Sequence, residues 1–215
     1  MKLVAIGAHL RREDIEPLAI AVPAGALFVS ALEVAGDQPL GDRELLLRAT
    51  NVRAQLLARA TFIAIRYGYT WEGGRPVRLA DETSALRKWQ RILEENRDRV
   101  EMTLKVAAAS SRPRPDRHDF ASGADYLRAL HEATQAANID PHFRAEVERL
   151  IVSRAVRHRW IHRDEKSIEL AALIARDAVD DVRRRGEELR AGCPEVPFLL
   201  SGPWPLEVFA DDDHE

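Results

Sequence analysis

Residues 198–206, FLLSGPWPL, join an apolar run typical of a β-strand to a bend that two prolines make rigid. Each proline fixes its own φ and lacks an N–H, so neither can take an ordinary central position in a sheet ladder. The bend therefore gives the backbone a defined course and projects Trp204 in one direction. The apolar pattern then resumes over residues 206–209. The segment predicts a terminal strand over 196–201 that runs directly into a Trp-bearing bend.

The first half of the chain alternates predicted strands with predicted helices. Apolar and β-branched runs predict strands over residues 2–8, 26–34, 61–71 and 99–106. Asp42 and Asp81 are suitable N-caps for two helices. The connection between the first two strands is predicted to be irregular or briefly helical, because it is interrupted by Pro17, Pro23 and Gly25. Four strands and two helices in this alternation predict a two-layer α/β sandwich.

A polar segment with two prolines, residues 110–116, separates this half from the rest of the chain. It carries no aliphatic or aromatic side chain and cannot contribute to a core. We therefore predict an α/β domain over 1–109, a linker over 110–121, and a smaller, helix-rich α+β domain over 122–215. The fold class predicted for the whole chain is α+β.

The second domain contains three predicted helix starts. Ser122, followed three residues later by an aspartate, resembles a capping box, and Asp140 precedes a proline at the first helical position. Asp177 is the predicted N-cap of a last helix, which ends at Gly192. Residues 167–175 alternate as in a strand, although their Ala and Leu content also allows a helix; we predict a strand.

Composition and charge narrow the class of protein. The 215 residues are 46% hydrophobic and 31% charged, the balance of an ordinary globular protein. Basic and acidic residues number 32 and 35 and are finely interspersed, so neither nucleic acid nor a membrane surface is expected as a partner. No apolar run approaches the ~18 residues that span a bilayer. The single cysteine, Cys193, cannot form an internal disulfide, and we expect a cytoplasmic protein.

The sequence offers few candidates for catalysis or cofactor binding. His158 and His162 would share one face of a helix, but the arginines around them oppose a cation, and no metal site is predicted. Ser201 lacks the sharp turn into a helix that a nucleophile elbow needs. The glycine-rich phosphate cradles are missing from the sequence. We therefore predict no catalytic residue, no metal and no cofactor, and a protein that is not an enzyme.

Two side chains stand out as candidates for partner binding. Arg66 interrupts an apolar run, and a buried arginine needs a carboxylate, for which Glu101 is the candidate. The pair could serve as an ion pair on the sheet or as a partner-binding feature. Trp204 is a large amphipathic ring on a rigid bend, the type that anchors interfaces. It could equally plug the core between the two domains.

Several motifs resemble those of the gas vesicle accessory proteins of the GvpF/GvpL family. Gly-Pro-Trp-Pro at residues 202–205 resembles the closing signature of that family, and Ser-Gly-x-x-Tyr-Leu at 122–127 resembles its helix start. Residues 64–68 resemble its Pro-x-Arg-Phe-Gly motif, with Ala64 in place of Pro and Tyr67 in place of Phe. Further departures are Met for Trp in the Val-Glu-Trp motif at residues 100–102, and Leu-Glu-Val-Phe for Pro-Tyr-Ser-Phe at 206–209.

This resemblance implies that the N-terminal α/β domain is ferredoxin-like and that an α+β domain follows it. It also implies a non-enzymatic accessory protein of gas vesicle assembly. Its partners would be the small hydrophobic shell subunit and other accessory proteins, with weak self-association, and it would be gas vesicle associated. The candidate partner-binding residues are Arg66, Tyr67, Glu101 and Trp204. One alternative is a small-molecule-binding or enzymatic α/β domain with a pocket formed by Arg66, Glu101 and His9. Another is a homo-oligomeric scaffold unrelated to vesicles.

Overall fold

The computed structural model of the chain describes residues 2–72, 83–107, 115–135, 139–164 and 167–210. These residues form two compact units. The first unit comprises residues 1–100 together with 203–215, and the second unit comprises residues 101–202. The C-terminal segment that follows the Trp-bearing bend thus belongs to the same unit as the N-terminus.

The first unit contains a sheet built around one central strand. Its strands are β1 Lys2–His9, β2 Ile20–Ala24, β3 Leu27–Val34, β4 Ile63–Ala64 and β5 Thr70–Glu72. The order is β2-β3-β1-β4, and β5 also pairs with β1. All of these pairings are antiparallel. Because β1 is buried along nearly its whole length, its residues read as a continuous apolar run rather than an alternating one.

Two helices accompany this sheet, α1 Arg43–Arg59 and α2 Thr83–Glu95. Asp42 caps α1 as predicted, since its carboxylate accepts a hydrogen bond of 2.9 Å from Leu45 N. The buried stripe of α1 consists of Leu45, Ala49, Leu56 and Leu57. The predicted N-cap of α2, Asp81, lies outside the described residues.

Two predictions for the first unit are corrected. Residues 20–24 form a strand, although Pro23 was expected to keep this connection irregular. The proline is accommodated because β2 is an edge strand of the sheet, where one missing N–H costs no ladder hydrogen bond. The single strand predicted over 61–71 is two short strands, β4 and β5, because a turn at Tyr67–Gly68 interrupts it. Gly68 has φ +102°, which a residue with a side chain rarely adopts.

The segment after the Trp-bearing bend covers the outer edge of β4. Leu206 N donates to Phe62 O at 2.9 Å, and Ala64 N donates to Leu206 O at 3.0 Å, so Leu206 forms a parallel bridge with Ile63. Leu206 and Phe209 are 0% and 2% exposed. The segment therefore satisfies the hydrogen bonds of a sheet edge and adds two large side chains to the core.

The second unit contains a four-stranded sheet and three helices. The strands are β6 Arg99–Ala107, β7 Ala155–Asp164, β8 Ser167–Ala175 and β9 Phe198–Trp204, in the order β7-β8-β6-β9. The helices are α3 Gly123–Gln135, α4 Pro141–Leu150 and α5 Val179–Gly192. The strand predicted over 167–175 is confirmed as β8, and the alternation over 99–106 as β6.

The predicted helix starts of the second unit are confirmed at two positions and wrong at the third. Asp125 N donates to Ser122 Oγ at 3.1 Å, and Phe143 N donates to Asp140 Oδ1 at 2.8 Å. Asp177 does not cap α5; the N-cap is Ala178, which makes no side-chain cap bond. A short 3-10 turn over 176–178 precedes the helix and moves its start past Asp177.

The glycine before the Trp-bearing bend fits a tight approach of two strands. Gly202 has φ +121°, and a Cβ built on it would lie 2.7 Å from Met102 Sδ and 2.9 Å from Glu101 O. Pro203 follows on β9, which is an edge strand of its sheet, as the sequence required. Gly202 therefore allows β9 to pack closely against β6, and Pro203 is tolerated because β9 is an edge strand.

The α+β class predicted from sequence is confirmed by these sheets and helices. The first part of the predicted linker, residues 110–114, lies outside the described residues. The division into domains over 1–109 and 122–215 stays a prediction, beside the two units found here. Residues 211–215, whose acidic composition predicts a solvated tail, also lie outside the described residues.

Candidate functional site

Two of the predicted partner-binding residues, Arg66 and Tyr67, lie at one cleft of the first unit. Neither is in a strand, since both fall between β4 and β5. Tyr69 N donates to Arg66 O at 3.3 Å, which closes the turn at Gly68. This turn aims the Arg66 side chain outward, where it is exposed. The argument that a buried Arg66 needs Glu101 as a partner therefore does not apply.

Tyr67 has a structural role beside the cleft. It packs against a buried cluster of Val4, Val34 and Leu45. Its hydroxyl donates to Leu40 O at 2.9 Å. Burial, with a smaller contribution from the Asp42 carboxylate, raises the pKa of Tyr67. These contacts hold the Arg66–Gly68 turn in place on the sheet.

Arg53, on α1, forms the inner part of the cleft. Its Nη2 donates to Ile65 O at 3.1 Å and to Ile6 O at 3.4 Å. Burial lowers the pKa of Arg53, and the nearby Glu207 carboxylate opposes that shift. The guanidinium is thus held by backbone carbonyls and largely removed from water.

The cleft has a volume of about 430 Å³ and mixed walls. The charged groups among its described residues are Arg53, Arg66 and Glu207. The remaining walls are the aromatic rings Tyr67 and Trp89 and the small or aliphatic residues Ile63, Ala64, Ile65 and Ala210. Guanidinium groups beside apolar walls can bind an anionic group that is attached to an apolar body.

The other two predicted partner-binding residues differ in exposure. Glu101, on β6, is 3% exposed, so its carboxylate lies in the core rather than on a surface. Trp204 is 46% exposed. The buried anchors of its segment are Leu206 and Phe209 instead. Trp204 keeps a large accessible face.

Sequence reasoning missed Arg53 and Glu207. Arg53 follows Ala49 by four residues and therefore lies close to the buried stripe of α1, a signal that could have identified it. Glu207 was noted only as a departure from a motif. Its place beside Arg53 depends on the return of the C-terminal segment to the first unit, which local pattern does not encode.

His9 is a core residue and does not line this cleft. It is 0% exposed, stacks on Phe62 with ring centroids 4.8 Å apart, and lies 2.9 Å from Ser30 Oγ through its Nε2. Because the Ser30 hydroxyl donates to Gly7 O, it accepts from His9 Nε2–H. Burial lowers the pKa of His9 to about 3. The pocket of Arg66, Glu101 and His9 that the small-molecule alternative requires is not formed by these described residues.

Acid is expected to destabilise the first unit through His9. Its pKa is about 3 when folded and about 6.5 when unfolded. Below pH 6.5 the unfolded chain binds a proton that the folded chain excludes, so stability falls as the pH drops from 6.5 toward 3. The expected loss between pH 7 and pH 5 is about 2 kcal/mol. Urea unfolding at both pH values measures it.

A matched pair of variants isolates this contribution. In His9→Gln the loss of stability between pH 7 and pH 5 should largely disappear, whatever the stability at pH 7. His158→Gln, which alters an exposed histidine on β7, should keep the full loss. An unchanged pH dependence in His9→Gln would show that His9 is not the titrating group.

The histidine pair considered for a metal lies on a strand. His158 and His162 are on β7, so the helical spacing that would have joined them is wrong. Within the described ranges, no group of three or more His, Cys, Asp or Glu side chains could hold a metal ion.

The basic run 183–185 on α5 is paired with acidic side chains, chiefly Asp180 and Asp181. No described helix has both the length and the apolar character to cross a bilayer.

Comparisons with known proteins place this fold among gas vesicle proteins. A family model described as gas vesicle synthesis protein GvpL/GvpF matches residues 16–210. The fold resembles the crystal structure of the gas vesicle protein GvpF from Anabaena sp. PCC7120, with a TM-score of 0.66, 11% identity, and coverage of 99% of this chain and 97% of that chain. It also resembles the crystal structure of GvpF from Microcystis aeruginosa, with a TM-score of 0.68, 11% identity, and coverage of 98% and 99%. No curated protein sequence matched the chain.

Proposed function

This chain belongs to the GvpL/GvpF family of gas vesicle synthesis proteins, and from that premise we propose that it is a non-enzymatic accessory protein of gas vesicle assembly. It binds the hydrophobic shell subunit, together with other accessory proteins, and holds or delivers it. The observation that carries this proposal is the family match over residues 16–210. The protein acts in the cytoplasm and associates with the vesicle.

The physical reason for such a protein lies in the shell subunit. A small, strongly apolar subunit exposes surface and strand edges that aggregate unless they are covered before assembly. A binder for it needs exposed anchors on a stable scaffold. The first unit provides the cleft at Arg66 and Tyr67, and Trp204 adds an aromatic side chain that is 46% exposed. We assign the contact surface to these residues, while Glu101, being buried, supports the scaffold.

Co-purification tests the proposal. The full chain, carrying an affinity tag, is expected to retain the shell subunit when the two proteins are produced together. Added to the shell subunit during dilution from denaturant, it should reduce light scattering, because covered apolar surface is removed from aggregation. An unrelated acidic protein of similar size serves as the control for nonspecific effects. Unchanged scattering and no complex on a sizing column would contradict the function.

A further inference from the structure

The cleft of the first unit presents hydrogen-bond donors that have no acceptor among the described residues. Both hydrogen bonds of Arg53 come from Nη2, and within the described residues neither its Nε nor its Nη1 has an acceptor. The Arg66 guanidinium makes no hydrogen bond or ion pair in the same ranges. A guanidinium offers five N–H donors in a fixed planar fork. Most of the donor capacity of these two side chains is therefore open to a ligand.

Desolvation makes the inner donor group unusually receptive to an anion. Arg53 is half-buried, and its two acceptors are neutral carbonyl oxygens that do not neutralise its charge. Glu207 supplies one carboxylate near it. Among the described residues that line the cleft, two guanidinium groups and one carboxylate give a net charge of +1. One carboxylate on the ligand would balance that charge, whereas a phosphate dianion would exceed it.

The walls of the cleft define what the carboxylate is attached to. The side chains of Ile63 and Ile65 are buried along one side, and the Trp89 and Tyr67 rings are half-buried. The half-buried rings still have apolar surface that an apolar group on the ligand can remove from water, which a fully hydrated ion cannot do. A free inorganic anion would accept hydrogen bonds from the guanidinium groups but leave the apolar walls of the cleft in contact with water.

We propose that the cleft binds the carboxylate of an acidic side chain flanked by apolar residues in a partner polypeptide. The Arg53 and Arg66 guanidinium groups donate to its two oxygens, and the flanking apolar side chains lie against the Trp89 and Tyr67 rings. The proposal rests on the proposed function, since the partner segment would belong to a vesicle protein. It adds the chemistry by which the first unit recognises that segment.

Two short peptides test the recognition of a carboxylate. The probes are acetyl-Ala-Leu-Glu-Leu-Ala-amide and the same peptide with Gln in place of Glu, both without terminal charges. Calorimetric titration into the full chain should show the Glu peptide binding about tenfold more tightly than the Gln peptide, because hydrogen bonds to charged groups are stronger. Equal affinities for the two peptides would overturn the proposal.

Three variants locate the binding site. Arg66→Gln should weaken the Glu peptide about threefold to tenfold, because one exposed guanidinium is lost. Glu207→Gln should tighten it by a similar factor, since a competing carboxylate is removed. Arg91→Gln is the matched control; Arg91 is exposed and two residues after Trp89, and thus on the opposite side of α2. Circular dichroism confirms that each variant is folded. Equal affinities in Arg66→Gln and Arg91→Gln would place the peptide elsewhere.

Competition separates a polypeptide ligand from a free anion. Acetate and inorganic phosphate, each added at the peptide concentration, should not displace the Glu peptide. Displacement by acetate would indicate a small-carboxylate site, and displacement by phosphate a general oxyanion site; either result overturns the proposal as stated.

The peptide experiments test the carboxylate cleft and the co-purification experiment tests the proposed function, and either can fail without the other. If the shell subunit co-purifies equally well with the wild type and with Arg66→Gln, and neither peptide binds, the carboxylate cleft is wrong and the function stands. If the Glu peptide binds in an Arg66-dependent way but no vesicle protein co-purifies, the cleft stands and the function is wrong.

Discussion

Gly202→Ala is expected to destabilise the second unit by about 2–5 kcal/mol, through two costs that act at the same atom. The added Cβ would lie 2.9 Å from Glu101 O and 2.7 Å from Met102 Sδ. The sulfur is part of a flexible side chain, but the carbonyl oxygen belongs to the backbone of β6 and cannot move alone. In addition, the φ of +121° is unfavourable for any residue with a Cβ.

Chemical denaturation of the purified variant measures this effect. Gly192→Ala is the matched control, because Gly192 has no neighbouring atom within 4 Å of a built Cβ. Its stability should stay within about 0.5 kcal/mol of the wild type. If Gly202→Ala were as stable as Gly192→Ala, β9 would not approach β6 as described.

Phe209→Ala is expected to lower the free energy of unfolding by about 3–5 kcal/mol. The ring is 2% exposed and lies three residues after Leu206, whose backbone closes the edge of β4. Truncation leaves a cavity in the first unit and weakens the attachment of the returning segment. The first unit is therefore expected to lose stability, although position 209 lies far along the chain from residues 1–100, which make up most of that unit.

Leu199→Ala tests whether burial is the cause of this loss. Leu199 lies on β9 with 60% exposure, so its truncation should change stability by no more than about 0.5 kcal/mol. Urea titrations of both variants, followed by circular dichroism, give the comparison. A small effect of Phe209→Ala, similar to that of Leu199→Ala, would mean that the C-terminal segment does not contribute to the core.

Local sequence pattern predicted most of the regular structure. Period-two alternation identified β6, the apolar run at the N-terminus identified β1, and the cap at Asp140 identified the start of α4. Each of these signals depends only on residues that are close in sequence, so it does not change with the contacts that distant parts of the chain make. The predictions were wrong where a contact with residues distant in sequence determines the local structure. Residues 155–164 form an edge strand because β8 is available to pair with them.

The candidate site was predicted only in part. Arg66 was selected because it interrupts an apolar run, and both Arg66 and Tyr67 belong to a motif that resembles the family's. The structure brings the two to one cleft. Arg53 and Glu207 were not selected, since the first belongs to a helix rich in arginine and the second follows the bend. Their proximity joins residues more than 150 positions apart, and no periodicity along the chain can report such a distance.

By itself, the FLLSGPWPL segment determined a strand, a rigid bend and an edge position, because proline φ and the missing N–H are properties of the residues alone. Only the tertiary structure decided where the bend leads. Leu206 pairs with Ile63 and Phe209 enters the core of the first unit, while Trp204, the most conspicuous side chain of the segment, stays 46% exposed. The reason is physical: local dihedral preferences fix the course of a few residues, but burial depends on which distant surface has an open edge and apolar space to fill.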